Sequence, residues 1–295
     1  MAKNSGYIKK GIGGFYYVQT EKNIIECKPK GIFRKQKIIP LAGDNVLVDT
    51  EESTNTICEI KNRKNFFIRP PIANVDIFFI VISITQPVPS TLIIDKLSAI
   101  AVDKGAKPII IITKTDLENA DSLLEIYNKT GIEILVTSNE DTEIIEKLKP
   151  IIKNHLCVFC GNSGVGKSTL LNKLLPNQQR ETGEISRKLG RGRHTTREVE
   201  IFDVFDGLIA DTPGFASIEN EKENFIHKEN LQFAFPEIEA HIHNCKFTGC
   251  SHTTEIGCAV INAVNNKIIS KSRYDNYVSM YQKAKETKDW QIKNK

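Results

Sequence analysis

The chain has 295 residues, a formal net charge of +4, 26% charged and 40% hydrophobic residues, and seven cysteines. That length accommodates two or three domains, each with its own core. No apolar run reaches a membrane span, Met1-Ala-Lys-Asn-Ser5 lacks the apolar core of a leader, and the cysteines do not form an extracellular disulfide framework, so a cytoplasmic protein with no membrane partner is expected.

The first 70 residues hold 13 Lys/Arg against 7 Asp/Glu. Short alternating runs at Gly14–Val18, Asn23–Cys27, Lys37–Ile39, Asn45–Asp49 and Thr56–Ile60 read as five strands, with turns at Gly43-Asp44 and Glu51–Asn55. Five short strands suggest a small closed β-barrel, for which an OB-fold is the natural candidate. Phe15, Tyr16 and Tyr17 near Lys9 and Lys10, and Phe33 beside Arg34 and Lys35, suit base stacking and phosphate contact, although alternation must send some of these rings inward. From charge alone, a soluble surface is the plainer reading than a nucleic-acid footprint.

From Arg69 long apolar strands alternate with helices. Val75–Ile84 reads as a buried strand, and Ser90–Val102, Leu117–Asn128 and Thr142–Lys153 have helical spacing. This rhythm implies a mostly parallel sheet covered on both faces. Thr113-Lys114-Thr115-Asp116 follows the apolar run Pro108–Ile112 and so lies at a strand's carboxyl end, where open α/β sheets bind ligands. It resembles the Asn-Lys-x-Asp element by which GTPases read guanine. A carboxylate at Asp116 accepts from guanine N1–H and the 2-amino group, a donor pair adenine lacks, and the Lys114 stem packs along the base. Alone, the string is equally a polar turn capped by Thr115 or Asp116. Val136-Thr137-Ser138 ends another strand and offers backbone N–H groups for guanine O6.

Gly161-Asn162-Ser163-Gly164-Val165-Gly166-Lys167-Ser168 matches the phosphate-binding loop G-x-x-x-x-G-K-[ST]. Glycines let the backbone turn its N–H groups toward phosphate oxygens, Lys167 charges the β- and γ-phosphates, and the Ser168 hydroxyl serves Mg²⁺. Leu156–Cys160 reads as the preceding strand, and Thr169–Leu175 opens a helix whose N-terminus favours anions. Cys157 and Cys160 are spaced C-x-x-C within that strand, so burial on opposite sides is favoured over redox chemistry.

Gly190-Arg191-Gly192-Arg193-His194-Thr195-Thr196-Arg197 has the look of a switch I region, with Thr195 or Thr196 as a second Mg²⁺ hydroxyl. Asp211-Thr212-Pro213-Gly214 resembles the D-x-x-G element, Asp211 reaching Mg²⁺ through water and the Gly214 N–H facing the γ-phosphate. Pro213-Gly214 is also an ordinary type II turn signature. Further on, Cys245, Cys250, His252 and Cys258 are spaced C-x₄-C-x-H-x₅-C, a closed structural-zinc pattern, with His241 and His243 as spare imidazoles. Ala259–Trp290 looks helical, and Tyr274, Tyr277, Val278 and Tyr281 form a stripe best read as core packing.

The elements run base reader, base-reader support, phosphate loop, switch I, switch II: a circular permutation of the ordinary GTPase order. In this order, and with Ile68–Asp76, the GRGRHTT run and the zinc spacing, the chain resembles the bacterial RsgA (YjeQ, EngC) family over nearly its whole length. The resemblance implies a multidomain α/β protein: an OB-fold barrel docking on ribosomal RNA over 1–68, a circularly permuted GTPase domain over 69–220, and a mainly helical C-terminal domain over 221–295 with zinc on Cys245, Cys250, His252 and Cys258. It implies GTP or GDP bound by Thr113, Lys114, Thr115, Asp116, Thr137, Ser138, residues 161–169 from Gly161 to Thr169, and Gly214. Mg²⁺ falls to Ser168, Thr195, Thr196 and Asp211. The implied function is hydrolysis of GTP to GDP and phosphate in late maturation of the small ribosomal subunit, stimulated by that subunit and its rRNA, by a monomer.

Phosphoryl transfer is mostly positioning and charge neutralisation, assigned here to Lys167, Mg²⁺ and the backbone of residues 162–169. Phe215 follows Gly214, near where many GTPases carry glutamine, and cannot orient water. His194 is the nearest polar substitute, against a backbone or phosphate-assisted route. Arg180, Arg187, Lys188, Arg191, Arg193 and Arg197 make switch I basic enough to be ordered by RNA phosphates, or simply a solvated loop. Two rival readings are a nucleic-acid-binding scaffold with a structural nucleotide and an ATP-dependent phosphotransferase; Thr113–Asp116 speaks against the second.

Overall fold

The structure, a computed structural model, describes residues 3–50, 54–175, 199–211 and 224–287. Its N-terminal strands are β1 (Lys3–Ile12), β2 (Phe15–Thr20), β3 (Ile24–Pro29), β4 (Asn45–Asp49) and β5 (Thr56–Ile60), with a one-turn helix α1 (Gly31–Lys35) after β3. They pair in the order β1-β2-β3-β5-β4, and β4 returns to β1, which closes the barrel. Inward positions Ile8, Val18, Cys27, Val46, Val48 and Ile57 fill it together with Phe33. Closure leaves no exposed sheet edge within the barrel. Phe33 is thus a core residue, whereas Phe15 and Tyr17 stay partly exposed beneath Lys28 and Lys10, ammonium to ring 4.9 and 5.4 Å.

One expected strand is absent and one unexpected strand replaces it. Lys37–Ile39 is not a strand. Lys37 takes φ 56°, its N–H donates to Arg34 O at 3.2 Å, and the Ile38 N–H donates to Phe33 O at 2.8 Å. These are the paired bonds of a Schellman helix end, which uses the backbone groups a strand would need. The fifth strand is β1, whose only fully buried side chain is Ile8, so its alternation is faint in the sequence.

The barrel is pinned to the chain beyond β5. Arg63 donates to both carboxylate oxygens of the fully buried Asp44, at 2.6 and 2.8 Å, and Asp44 also accepts from the Leu41 N–H at 2.7 Å. A short hairpin, β6 (Phe66–Phe67) with β7 (Ile72–Ala73), meets this loop through the Ala73 N–H, which donates to Ala42 O at 2.9 Å. Gly43 sits at φ +85° with the Ala73 carbonyl 2.2 Å from where a Cβ would lie, so only glycine permits the approach.

The central domain comprises β8 (Ile77–Ser83), α2 (Thr91–Asp103), β9 (Lys107–Thr113), α3 (Asp121–Tyr127), β10 (Glu133–Val136), α4 (Ile144–Ile152), β11 (Leu156–Cys160), α5 (Lys167–Leu174), β12 (Glu200–Val204) and β13 (Gly207–Asp211). Strand order is β10-β9-β8-β11-β13-β12; the first five are parallel and β12 is antiparallel to β13. All seven residues of β8 are buried, as a strand covered on both faces requires. Alternate residues enter different cores: Phe78, Ile80 and Cys160 one, Phe79, Val81 and Cys157 the other. The two strand cysteines therefore face opposite ways. Helix α3 starts four residues later than the periodicity suggests, because the turn that follows β9 runs through Leu117, whose N–H donates to Lys114 O at 3.0 Å, and residues 118–120 are a non-helical connection. The edge strand β12 meets β1 of the barrel through the pair Lys10–Glu200, with the Lys10 ammonium 3.0 Å from Glu200 and the Tyr7 hydroxyl donating to Asp203 at 3.1 Å.

The C-terminal part is helical: α6 (Lys228–Leu231), a 3₁₀ turn (Gln232–Ala234), α7 (Pro236–Glu239), α8 (Ala259–Asn265) and α9 (Lys271–Glu286). Its apolar residues, among them Phe235, Val260 and Tyr277, belong to the same core cluster as α2. Tyr277 is buried edge-on to Phe235, with Tyr274, Val278 and Tyr281 packed alongside, so the aromatic stripe is core. Among the described residues, no helix is long and apolar enough to cross a membrane.

Candidate functional site

Residues 161–166 turn from the buried strand β11 into α5. Gly161 (φ +138°) passes so close to β8 that an added Cβ would lie 2.1 Å from the Val81 carbonyl, and Gly166 starts the helix from a left-handed φ of +97°. The glycines are thus dictated by backbone path. Lys167 folds its ammonium over the loop, donating to Gly161 O at 2.8 Å and Asn162 O at 2.5 Å. Burial lowers its pKa from the usual lysine value, and the nearby Asp211 carboxylate opposes that shift. Ser168 is exposed in the first turn of the helix, and Val165 is buried beneath the loop. A curl of backbone at a helix N-terminus, holding one ammonium, suits an anion such as a polyphosphate.

The other motif residues gather at the same carboxyl edge of the sheet. Thr113 ends β9, and its buried hydroxyl lies 2.6 Å from Val165 O in the loop and 3.0 Å from Ile82 O. A threonine where GTPases carry asparagine therefore still bridges to the phosphate loop. Lys114 adopts φ 61° and donates to the Gln86 carbonyl. The Thr115 hydroxyl donates to Thr137 O at 3.1 Å, which joins this turn to the 136–138 segment after β10. Asp116 is exposed, and its carboxylate accepts from the Asn139 N–H at 3.4 Å. Ser138 adjoins Asn139, so the second segment faces the first. Asp211 ends β13, one residue past the Val158–Ala210 pair, which places it beside the loop.

His194, Thr195, Thr196, Gly214, Phe215 and the arginines of the switch I run lie outside the described residues. Sequence reasoning missed Lys173, on the last turn of α5, whose ammonium donates to Asn139 O and Asp141 O at 2.9 Å each. A lone lysine on a helix carries no motif.

A second cluster lies in the C-terminal part. One ligand atom each from Cys245, Cys250, His252 and Cys258 falls within 4.8 Å of all the others, so the group could hold a metal ion; His241 and His243 are not in it. Cys245 Sγ and Cys258 Sγ are 3.8 Å apart and lie 3.5 and 3.4 Å from His252 Nδ1. Thiolates at about 2.3 Å from a tetrahedral ion stand about 3.8 Å apart. The other imidazole nitrogen, Nε2, is 3.0 Å from Gln232 Oε1, an outer partner that orients the ring. Burial pushes the Cys250 thiol up to about 12 and lowers His252, so a cation is what would favour the thiolates. Tyr277 and Tyr274 of α9 donate to the carbonyls of Ser251 and Thr253 and brace the loop.

Phosphate loop on a parallel sheet, with the base-side turn preceding it in the chain, defines a circularly permuted P-loop GTPase. A family model described as RsgA GTPase matches residues 60–221, and one described as RsgA N-terminal domain matches residues 5–58. A small ribosomal subunit biogenesis GTPase, RsgA 2 of Oceanobacillus iheyensis, is 44% identical over 280 residues, covering 92% of this chain and 94% of the relative. RsgA of Caldanaerobacter subterraneus is 42% identical over 299 aligned positions, covering both chains in full. Among solved structures, the circularly permuted GTPase YloQ superposes with TM-score 0.78 at 38% identity, covering 97% of this chain and 96% of that one. YjeQ from Thermotoga maritima gives 0.81 at 31%, covering 97% and 100%. The chain belongs to the RsgA GTPase family. It is a GTP-hydrolysing enzyme, and that family uses guanine nucleotide with Mg²⁺.

Proposed function

We propose that this enzyme hydrolyses GTP to GDP and phosphate during late maturation of the small ribosomal subunit, and that the subunit stimulates it. The family and the names of full-length relatives support the ribosomal role. The observation that carries the enzymatic reading is the Lys167 ammonium held over the loop between β11 and α5, with Thr113 bridging from the base-side turn at 2.6 Å. In this reading the backbone of residues 162–169 and Lys167 take the phosphates. Lys167 exchanges its bonds to Gly161 O and Asn162 O for phosphate oxygens. Asp116 reads the guanine edge, Lys114 covers the base, and Thr115, Thr137 and Ser138 shape its pocket. Ser168, Asp211, Thr195 and Thr196 hold Mg²⁺, which neutralises charge on the β- and γ-phosphates. Gly214 faces the γ-phosphate, and His194 orients the attacking water.

Residues 1–68, 69–220 and 221–295 serve as RNA-docking barrel, catalytic domain and zinc-holding domain. One zinc on Cys245, Cys250, His252 and Cys258 is structural, since four protein ligands leave no open position. The exposed Lys22, Lys28, Lys30, Arg34, Lys35 and Lys37 around β3 and α1 supply an RNA-facing charge. The protein works as a cytoplasmic monomer on the subunit. The test is steady-state phosphate release from GTP with and without small subunits. Stimulation by subunits supports the reading; turnover indifferent to them, with intact subunit binding, favours a scaffold with a structural nucleotide.

A further inference from the structure

The base-side loops are held against the phosphate loop from two sides. One is the Thr113 hydroxyl at Val165 O. The other begins on α5, the helix that the phosphate loop itself starts. Six residues after Lys167, Lys173 sends its ammonium across to the segment after β10. There it donates to two carbonyls, Asn139 O and Asp141 O, both at 2.9 Å. Three donors on a flexible stem allow one ammonium to clamp two acceptors.

The clamped segment contacts the carboxylate assigned to guanine. The Asn139 N–H donates to Asp116 Oδ1 at 3.4 Å, so the peptide preceding Asn139 aims the carboxylate while Asn139's own carbonyl is held by Lys173. At the far end, Asp141 accepts from the N–H groups of Glu143 and Ile144 at 2.8 and 3.2 Å, which anchors the segment to the start of α4. The turn carrying Asp116 has its own anchors at Lys114–Gln86 and Thr115–Thr137. Asp116 itself is exposed, and an exposed carboxylate has no packing to fix its torsion. Its orientation therefore depends on the Asn139 N–H.

We propose that Lys173 is a positioning residue for guanine selection: it locks the 139–141 segment to the phosphate-binding helix so that the Asn139 N–H holds Asp116 in the orientation that accepts both guanine donors. This rests on the reading of Asp116 as the guanine acceptor. It makes a specific claim about discrimination. Inosine diphosphate keeps N1–H but lacks the 2-amino group. A carboxylate that has lost its fixed orientation keeps one acceptor contact more readily than two, so GDP loses more affinity than IDP. Loss of one hydrogen bond to a charged group corresponds to roughly tenfold or more in affinity.

The experiment is calorimetric titration of the full-length protein with GDP and, separately, with IDP, for wild type, Lys173→Met, Lys173→Arg and Asp116→Asn. The expected result is a GDP-over-IDP preference about tenfold smaller in Lys173→Met and largely retained in Lys173→Arg, which can still span two carbonyls. A ratio of affinities within one variant is insensitive to a fraction of unfolded protein, since that fraction binds neither nucleotide. Equal weakening of GDP and IDP in Lys173→Met makes the lysine a brace for the phosphate helix alone and overturns the proposal. So does an unchanged ratio in Lys173→Met alongside a collapsed ratio in Asp116→Asn, which leaves the guanine assignment standing. An unchanged ratio in Asp116→Asn overturns the assignment of Asp116 itself, and the role of Lys173 with it.

Discussion

The Arg273 guanidinium donates to Asp95 Oδ1 at 2.8 Å across 178 positions of sequence, and both side chains are fully buried. Arg273 also grips Glu237 at 2.7 and 3.2 Å and lies 4.5 Å from the centre of the Phe235 ring. Asp95 is satisfied further by the Tyr127 hydroxyl and the Asn276 amide. Burial alone would lower the arginine's pKa, but Glu237 and Asp95 outweigh it and the net shift is upward. One guanidinium thus joins α9 and α7 of the C-terminal part to α2 of the central domain.

Arg273→Ala is therefore expected to leave two buried carboxylates without their cation. Removing one partner of a buried ion pair costs about 3–5 kcal/mol. Chemical denaturation should show this loss, and hydrogen exchange should show faster opening of α9 and α2 before the barrel strands. A midpoint within error of wild type would mean the cluster contributes little.

Guanine preference should fail in Asp116→Asn. The amide offers a donor where guanine needs an acceptor, so GDP affinity falls by about 10²-fold or more for two charge-assisted bonds at roughly 1.5–3 kcal/mol each, and xanthosine diphosphate gains. Competition titration with the two diphosphates reads this directly, and wild-type guanosine affinity would remove Asp116 from the site.

Metal loss should stay local. Cys250→Ser is expected to drop zinc from about one equivalent and to loosen residues 221–295, while GDP affinity stays near wild type, because the cluster belongs to the C-terminal part and not to the phosphate loop. Elemental analysis with parallel nucleotide titration tests both halves. Native protein with under about half an equivalent of zinc would argue against a resident ion.

Stimulated turnover should depend on His194. His194→Ala is expected to bind GTP nearly normally and to lose most of the stimulation by small subunits, since water-positioning and acid–base groups contribute about 10²–10⁴-fold. Phosphate release at saturating subunits, run beside a subunit-binding assay, separates the cases. Full stimulation excludes His194 as the water orienter, and joint loss of stimulation and subunit binding makes it a docking residue.

Features whose physics is local were legible along the chain. The phosphate loop is legible because a backbone reversal between a buried strand and a helix demands glycines at fixed offsets, here Gly161 and Gly166 with φ of +138° and +97°. The Cys/His cluster is legible because metal ligands on one short loop must recur at close spacing. Strand β8 is legible because burial on both faces leaves an unbroken apolar run. The fifth barrel strand was not, because β1 buries a single side chain fully and is held chiefly by ladder bonds to β2 and β4. The helix end at Lys37 hid behind two isoleucines that look like a strand.

Only the tertiary structure brought Lys173 to Asn139 and Arg273 to Asp95, across 34 and 178 positions. A charged residue on a helix has the same local propensity whether it faces water or a partner. Its partner is chosen when α5 and α9 pack against their neighbours, so packing, and not propensity, sets the geometry of the 139–141 segment and the joint between the C-terminal helices and the central sheet.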